Sequence, residues 1–223
     1  MKQHFVKVKS VKHITHDVLQ IVTEKPKNYS FKPGQATEVA INKAGWQNAK
    51  RPFTFTSLPD YDYLEFIIKT YPLQKSVTNE LLDLKVDDEL ILHDVFGAIA
   101  YKKEGLFVAG GAGITPFICI FRDLQSKNTI GHNKLLFANK TVGDIILAIE
   151  FKKLLGDNFI NILSEEKVDG YSHGKITEDF LKRHITESCN NVYVCGPPPM
   201  IDAIEKFLIK LHVEEKSIVK EAF

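Results

Sequence analysis

Cysteine is scarce in this chain: Cys119, Cys189 and Cys195 are the only ones among 223 residues. A small, odd number of cysteines argues against a disulfide framework and predicts a reducing, cytoplasmic location. These thiols are also too few to hold an iron–sulfur cluster that needs four cysteine ligands. None of the eight histidines has metal-ligand spacing with a cysteine or a carboxylate, so no metal site is predicted.

Long apolar runs and an excess of one charge are missing as well. No stretch reaches the roughly 20 apolar residues that cross a bilayer, and residues 1–10 have no apolar segment of a signal peptide. The formal net charge is +1, so neither a nucleic acid nor a membrane is expected as a partner. The length suits one large domain or two of ordinary size, and we expect a monomer.

The N-terminal part of the chain has the pattern of a small antiparallel β-barrel. Short runs rich in β-branched and aromatic residues alternate with turn signals such as Lys32-Pro33-Gly34. A short helix is expected over residues 78–84, with Leu81, Leu82 and Leu84 facing inward. The strands are expected at residues 5–8, 18–23, 37–41, 53–57, 64–69 and 89–93.

Near residues 102–105 the pattern changes to alternating strands and helices. The strands are short and mostly apolar, as in parallel sheets that are buried on both faces. This order predicts a doubly wound α/β domain. The predicted domains are therefore residues 1–102 and residues 103–223. In the second domain, strands are expected at 106–109, 134–138, 159–163 and 192–195, and helices at 116–124, 145–155, 177–184 and 199–211.

A first candidate motif is Arg51-Pro52-Phe53-Thr54 in the barrel part. An arginine can bind phosphate oxygens through its fork of donors, and Phe53 would share its strand face and lie against a flat ring. The hydroxyl of Thr54 could hydrogen-bond N5 of a flavin. The alternative is an ordinary strand with an exposed arginine and a buried phenylalanine.

A second motif is Gly110-Gly111-Ala112-Gly113-Ile114-Thr115-Pro116, which follows a strand and precedes a helix. Glycines permit close backbone approach, and the helix N-terminus offers free amides to a pyrophosphate. Pro116 stands where the usual fingerprint has its third glycine, and Asn139-Lys140-Thr141 replaces the usual acidic residue. A standard NAD-dehydrogenase domain is therefore disfavoured. The alternative is a tight strand–helix turn without a ligand.

A third motif, Cys195-Gly196-Pro197-Pro198-Pro199-Met200, ends the last strong strand of the α/β part. Open sheets bind ligands at this edge, where a thiol could pack beside a nicotinamide ring. A buried cysteine that only fills space is the alternative.

In this order, the motifs resemble those of the ferredoxin–NADP reductase superfamily, especially NADH–cytochrome b5 reductases and flavodoxin reductases. The first resembles the Arg-x-Tyr-Ser/Thr flavin motif, with phenylalanine for tyrosine, and the others match Gly-Gly-x-Gly-Ile-Thr-Pro and Cys-Gly-Pro-Pro-x-Met. Residues 67–71 and 76–78 resemble the segments beside the flavin phosphates, although Gln74-Lys75 stands in place of a family glycine. Glu221-Ala222-Phe223 resembles the Glu-x-aromatic ending of plant-type members.

The resemblance implies an enzyme that uses FAD as its cofactor and NAD(P)H as its substrate, and that passes single electrons to a carrier protein. It implies catalytic roles for four residues: Thr54 bonds N5, Cys195 steers the nicotinamide, Glu221 relays protons or tunes the site, and Phe223 covers the flavin. A core phenylalanine is the alternative for Phe223. The implied cofactor-binding residues are Arg51, Pro52, Phe53, Thr54, Ile67, Lys69, Tyr71, Ser76, Val77, Thr78, Gly110, Gly111, Gly113, Ile114, Thr115, Pro116, Asn139, Lys140, Cys195, Gly196, Pro197, Pro198 and Met200.

Several points stay open at this stage. FAD is preferred over FMN because the helix start at Ser76-Val77-Thr78 can hold a second phosphate. Lys140 favours NADPH, whereas the stretch around it resembles NADH–cytochrome b5 reductases. The electron acceptor is expected to be flavodoxin, ferredoxin or an oxygenase component. A non-catalytic regulator that binds flavin or nucleotide is the rival from another class.

Overall fold

Two six-stranded sheets follow one another along the chain in the computed structural model, which describes residues 2–71, 76–185 and 191–222. The first sheet has the strand order β4-β3-β6-β1-β2-β5, and its neighbouring strands are antiparallel. A bridge between Phe55 and Phe66 joins the chain after β4 to β5 and closes the barrel. Its strands are β1 (His4–Thr15), β2 (Val18–Glu24), β3 (Ala36–Ile41), β4 (Arg51–Thr54), β5 (Tyr63–Lys69) and β6 (Glu89–Phe96).

Alternating apolar residues fill the barrel, as the sequence pattern predicts. Val6 and Val8 on β1 and Leu19 and Ile21 on β2 are buried in one core, since successive strand residues point to opposite faces. The ring of Phe55 stacks on that of Phe31 and packs at a tilt against that of Phe66 in the same core.

The predicted short helix begins at α1 (Val77–Glu80) and continues as a 3₁₀ turn over Leu81–Asp83. Ser76 caps α1, because its hydroxyl accepts a hydrogen bond from the N–H of Asn79. Leu81 and Leu84 are buried as expected, whereas Leu82 is only partly buried.

The second sheet is parallel throughout and has the order β10-β9-β8-β7-β11-β12. The chain runs outward from β7 to β10 and then returns to the other side of β7, so the order reverses between β7 and β11. Helices cover both faces, as expected for a doubly wound domain. Its elements are β7 (Gly105–Gly110), α2 (Thr115–Ser126), β8 (Lys134–Asn139), α3 (Ala148–Leu155), β9 (Phe159–Leu163), β10 (Ser172–His173), α4 (Glu178–His184), β11 (Asn191–Gly196), α5 (Pro198–Lys210) and β12 (Ile218–Ala222).

Some boundaries differ from the prediction. Strand β4 ends at Thr54 instead of continuing to residue 57, although Phe55 still bridges to β5. Helix α3 begins at Ala148 rather than at residue 145, because Leu147 before it has a left-handed backbone with φ 54°. The strands predicted for the second domain leave out β12 and also β10, which is too short to give a pattern. Strand β1 extends from His4 to Thr15, whereas only residues 5–8 were predicted.

The barrel and the α/β part share packing. Val18 and Ile67 of the barrel lie in the core of the α/β part, and Cys119 of α2 lies in the barrel core. The thiol of Cys119 donates to the carbonyl oxygen of Ser57 at 3.0 Å. Among the described helices, none has both the length and the apolar character needed to cross a membrane.

Candidate active site

A cavity of about 1020 Å³ lies between the barrel and the carboxyl edge of the parallel sheet. The barrel wall comes from β4, β5 and the start of α1, and the opposite wall from the ends of β7, β8 and β11. These strand ends flank the point where the strand order reverses, which is where open α/β sheets bind their ligands. The volume matches the upper range of small-molecule sites.

Most of the predicted site residues line this cavity. They come from both halves of the chain, so the fold brings the motifs together. The predicted residues in the lining are Arg51, Pro52, Phe53, Thr54, Ile67, Lys69, Tyr71, Ser76, Thr78, Gly110, Gly111, Gly113, Thr115, Asn139, Lys140, Gly196, Pro197, Pro198 and Met200.

Thr54 and Arg51 stand out on the barrel wall. The side chain of Thr54 is 4% exposed, and its hydroxyl has no hydrogen-bond partner among residues 2–71, 76–185 and 191–222. The exposed guanidinium of Arg51 donates to the carbonyl oxygen of Lys50 at 2.8 Å and forms no ion pair with a described residue. Both polar groups are therefore available to a ligand.

The turn over residues 110–116, called here the glycine turn, packs closely against the end of β11 and the start of α5. A Cβ on Gly113 would stand 2.2 Å from the carbonyl oxygen of Cys195, and one on Gly110 would stand 2.5 Å from Sδ of Met200. Gly111 has φ +51°, and a Cβ there would meet nothing within 4 Å. Gly110 and Gly113 therefore allow β7, β11 and α5 to pack closely. Gly111 instead lines the cavity with no side chain over its backbone.

Two helix N-termini open at the cavity. Helices α2 and α5 begin at Thr115 and Pro198, both in the lining, and neither helix has a hydrogen-bonding side chain at its N-cap. Few first-turn amides are free, because Pro116, Pro198 and Pro199 have no N–H. The N–H of Met200 bonds the carbonyl oxygen of Pro197 at 2.9 Å, and that of Thr115 bonds the carbonyl oxygen of Ala112. The positive ends of the two helix dipoles nevertheless favour an anion such as a pyrophosphate.

Asn139 gives a second sign of a ligand. Its residue is 8% exposed, and neither Nδ2 nor Oδ1 has a partner within the part of the chain that the structure describes. Since buried polar groups are normally hydrogen-bonded, an unpartnered amide in a cavity wall is typical of a site that a ligand or a water completes.

Four cations and one acid line the cavity, but most of their charge is already paired. Lys69 contacts Asp17 at 2.6 Å, and Lys140 contacts Glu165 at 3.1 Å. Burial alone would raise the pKa of Asp144, but hydrogen bonds from the hydroxyl and N–H of Thr141 outweigh it and lower the pKa. Asp144 is therefore ionised at neutral pH, 3.9 Å from the ammonium of Lys69.

Some predicted residues do not line the cavity. Val77, Ile114, Pro116 and Cys195 are buried beside it, so any contact from them is indirect or through the backbone. Burial raises the pKa of the Cys195 thiol well above its usual range, which leaves the thiol protonated.

Glu221, predicted as a catalytic residue, also lies outside the lining. Its Oε2 accepts hydrogen bonds from the N–H groups of Ala98 at 3.2 Å and Ile99 at 3.3 Å. The carboxylate thus joins β12 to the chain that follows the barrel. Phe223 and Gln74-Lys75 lie outside the described residues, so the role of Phe223 stays a prediction.

The sequence reasoning missed part of the lining. Most of these residues are small or apolar and carry no motif, although Ser164 could have been found because it directly follows β9. The missed residues are Ala138, Asp144, Ser164, Gly174, Lys175, Ile176, Ala203 and Ile204, whereas Ile68, Ala112 and Pro199 lie within the predicted motifs and segments without having been given a binding role.

The site has what FAD and a nicotinamide dinucleotide require: apolar walls for flat rings, two positive helix-dipole ends and an arginine for phosphates, and unpartnered polar groups. Arg51, Ser76 and Thr78 would hold the FAD phosphates, and the turn with the N-termini of α2 and α5 would hold the nucleotide. These residues fit the two groups, which would be held from opposite walls of one cavity.

Comparison with known proteins agrees with this geometry. An FAD-binding domain model matches residues 3–104, and an oxidoreductase NAD-binding domain model matches residues 107–206. NADH-cytochrome b5 reductase 2 of Mycosarcoma maydis is 30% identical over 228 residues, which is 91% of this chain and 65% of that protein. The propane 2-monooxygenase reductase component of Mycolicibacterium smegmatis is 30% identical over 236 residues, 97% of this chain and 66% of that protein. The chain thus spans about two thirds of the length of these relatives.

Solved structures share the whole fold. A ferredoxin NADP⁺ reductase from Neisseria gonorrhoeae, with bound FAD and NADP, has a TM-score of 0.85 at 19% identity and covers 100% of this chain and 99% of its own. The cytochrome b5 reductase domain of Ulva prolifera nitrate reductase has a TM-score of 0.84 at 21% identity. The match covers 99% of this chain and 97% of that domain's chain. The chain belongs to the family of NAD(P)H-dependent FAD oxidoreductases that have the ferredoxin–NADP reductase fold.

Proposed function

We propose that this protein takes a hydride from a reduced nicotinamide nucleotide across the cavity and passes single electrons to a separate carrier protein. Residues 1–102 act as the FAD domain and residues 103–223 as the nicotinamide domain in this proposal. The observation that supports it most is that Thr54 of the barrel and the glycine turn after β7 line one cavity.

On the barrel wall, Arg51, Ser76 and Thr78 bind the cofactor phosphates, and Phe53 and Tyr71 hold its ring system. Bound FAD supplies the chemistry, since it accepts a hydride and gives up electrons one at a time. The hydroxyl of Thr54 is free to donate a hydrogen bond at the position where the hydride arrives.

On the opposite wall, the turn after β7 and the positive ends of the α2 and α5 dipoles attract the nucleotide pyrophosphate. Asn139 offers its unpartnered amide to the same ligand. The apolar lining excludes water and holds the nicotinamide in one orientation, which is how positioning accelerates such a transfer. Cys195 stays protonated and contributes by packing in the core of the α/β part rather than as a nucleophile.

The acceptor is a one-electron carrier in this proposal: a ferredoxin, a flavodoxin or an oxygenase component. Several relatives are named as reductase components of monooxygenases, and others as NADH-cytochrome b5 reductases. The non-catalytic regulator is disfavoured because Thr54, whose hydroxyl has no partner among the described residues, lines the same cavity as the turn after β7. The monomeric state and the cytoplasmic location stay predictions.

The test begins with the purified protein after reconstitution with FAD. We expect a yellow protein that is bleached by NADH or NADPH without oxygen and recovers its colour when a suitable carrier is added. A protein that stays colourless after reconstitution, or that keeps its colour with both nucleotides, would contradict the proposal.

A further inference from the structure

Arg122 on α2 places its guanidinium between the barrel and the α/β part. Nη1 donates to Oε1 of Glu65 at 2.6 Å and to the carbonyl oxygen of Thr56 at 2.9 Å, and both of these residues belong to the barrel. Nε and Nη2 donate to the two carboxylate oxygens of Glu150 on α3, at 2.6 and 2.8 Å. One side chain therefore joins three elements across the two halves.

Both side chains of the ion pair between Arg122 and Glu65 are largely buried and hydrogen-bonded. The side chain of Arg122 is 21% exposed and that of Glu65 is 8% exposed. Glu65 also accepts hydrogen bonds from the hydroxyl of Thr56 at 2.8 Å and from Nε2 of Gln20 at 2.7 Å. Burial alone would lower the pKa of Arg122, but the hydrogen bonds and charges of Glu150 and Glu65 outweigh it and raise the pKa. The guanidinium is therefore always charged and has a fixed direction.

The contact lies directly behind the cavity. Helix α2 begins at Thr115 in the cavity wall, and Arg122 follows about two turns, or roughly 10 Å, further along. On β5, Glu65 shares a strand face with Ile67 and Lys69, both of which line the cavity. The guanidinium thus binds the rear of the same helix and strand that form opposite walls.

We propose that Arg122 is a positioning residue, which holds the barrel wall against the α2 wall so that hydride donor and acceptor meet at reacting distance. This inference rests on the proposed hydride transfer across the cavity. Apolar packing between the halves is non-directional. The planar guanidinium of an arginine has donors in a rigid geometry, so its hydrogen bonds fix both the distance and the angle between the segments that it joins. Because the packing of Val18 and Ile67 remains when Arg122 is replaced, the two halves stay together but lose their fixed separation.

Three variants separate positioning from plain stability. Arg122→Met leaves the Glu65 carboxylate buried and unpaired, so its thermal midpoint falls. The double variant Arg122→Met with Glu65→Gln removes that buried charge and recovers the midpoint without restoring the link. Arg122→Lys keeps the positive charge beside Glu65 but lacks the planar guanidinium that bonds Glu65 and Glu150 at the same time. Arg183→Met is the matched control, because Arg183 on α4 packs over the ring of Phe180 within its own domain.

The measurements are thermal midpoint, bound FAD, nicotinamide dissociation constant and the rate of flavin reduction at saturating nicotinamide. We expect the double variant and Arg122→Lys to keep FAD and to bind nicotinamide within about threefold of wild type. Their flavin reduction should be about 10- to 100-fold slower, the effect of a small misplacement remote from the chemistry. Arg183→Met should reduce at the wild-type rate.

Two results would overturn the inference: flavin reduction at the wild-type rate in the double variant, or equal slowing in Arg183→Met. Either leaves the proposed function intact. A wild-type protein whose flavin is not reduced by NADH or NADPH would instead overturn the proposed function, and this inference with it.

Discussion

Gly113 lies directly against the carbonyl oxygen of Cys195, where a Cβ on the glycine would stand 2.2 Å from that oxygen. Gly113→Ala therefore forces the turn after β7 away from the end of β11, at a cost of about 1–3 kcal/mol in the free energy of unfolding. The same turn lines the cavity wall where the nicotinamide nucleotide would bind, so the affinity for that nucleotide should fall as well. Urea unfolding and equilibrium titration measure the two effects.

Gly143→Ala is the matched control for this change. Among the described residues other than its chain neighbours, a Cβ on Gly143 would meet only Oγ1 of Thr141 within 4 Å, at an ordinary 3.7 Å. Its free energy of unfolding should stay within about 0.5 kcal/mol of wild type. Equal stability of the Gly113→Ala and Gly143→Ala proteins would show that the close approach is not a constraint.

Thr54→Ala removes the one barrel hydroxyl that the account places at the reacting atoms. The lost hydrogen bond should slow flavin reduction about tenfold while bound FAD stays at the wild-type level. Thr54→Ser keeps the hydroxyl and should restore most of the rate. Stopped-flow absorbance measures both variants, and a Thr54→Ala protein as fast as wild type would remove Thr54 from the mechanism.

The ion pair between Lys140 and Glu165 bears on nucleotide preference. Glu165→Gln frees the ammonium of Lys140 at the nucleotide end of the cavity, where a 2′-phosphate would be attracted to it. The ratio of kcat/KM for NADPH to that for NADH should rise several-fold, a modest change because both side chains are exposed. Steady-state kinetics with both nucleotides measures it, and Lys140→Gln should shift the ratio in the opposite direction.

Burial raises the pKa of Cys119 to about 12. Below the unfolded thiol pKa of about 9, the group is protonated in both states and its contribution is constant. Between about pH 9 and 12 only the unfolded thiol ionises, so this group lowers the free energy of unfolding by about 1.4 kcal/mol per pH unit. Urea unfolding at both ends of this window should show a smaller loss in Cys119→Ala than in wild type. An equal loss would contradict the burial argument.

The fold was largely predictable because its two halves have different hydrophobic periods. Alternation along β1 and β2 and the apolar runs of β7 and β8 report burial on one face or on both, and each run became a strand. The start of α3 was not predictable, since the left-handed backbone of Leu147 depends on tertiary packing.

The site was predictable where glycines, prolines or a conspicuous arginine carry the chemistry. Contacts between distant residues were not: neither the link from Arg122 to Glu65 nor the bond from Glu221 to Ala98 has a local pattern. Cys195 shows a related difficulty, because its place in the motif left a thiol beside the nicotinamide and a buried cysteine as alternatives, and the structure shows that it is fully buried.

In the proposed reaction, a hydride crosses the cavity from the nicotinamide to the flavin. The most direct measurement is single-turnover flavin reduction by NADH or NADPH carrying deuterium at the transferred position, compared with the unlabelled nucleotide. We expect deuterium to slow the bleaching of the flavin when it occupies one face of the nicotinamide and to have no such effect on the other face. Bleaching at the same rate with both labelled forms, or no bleaching at all, would contradict it.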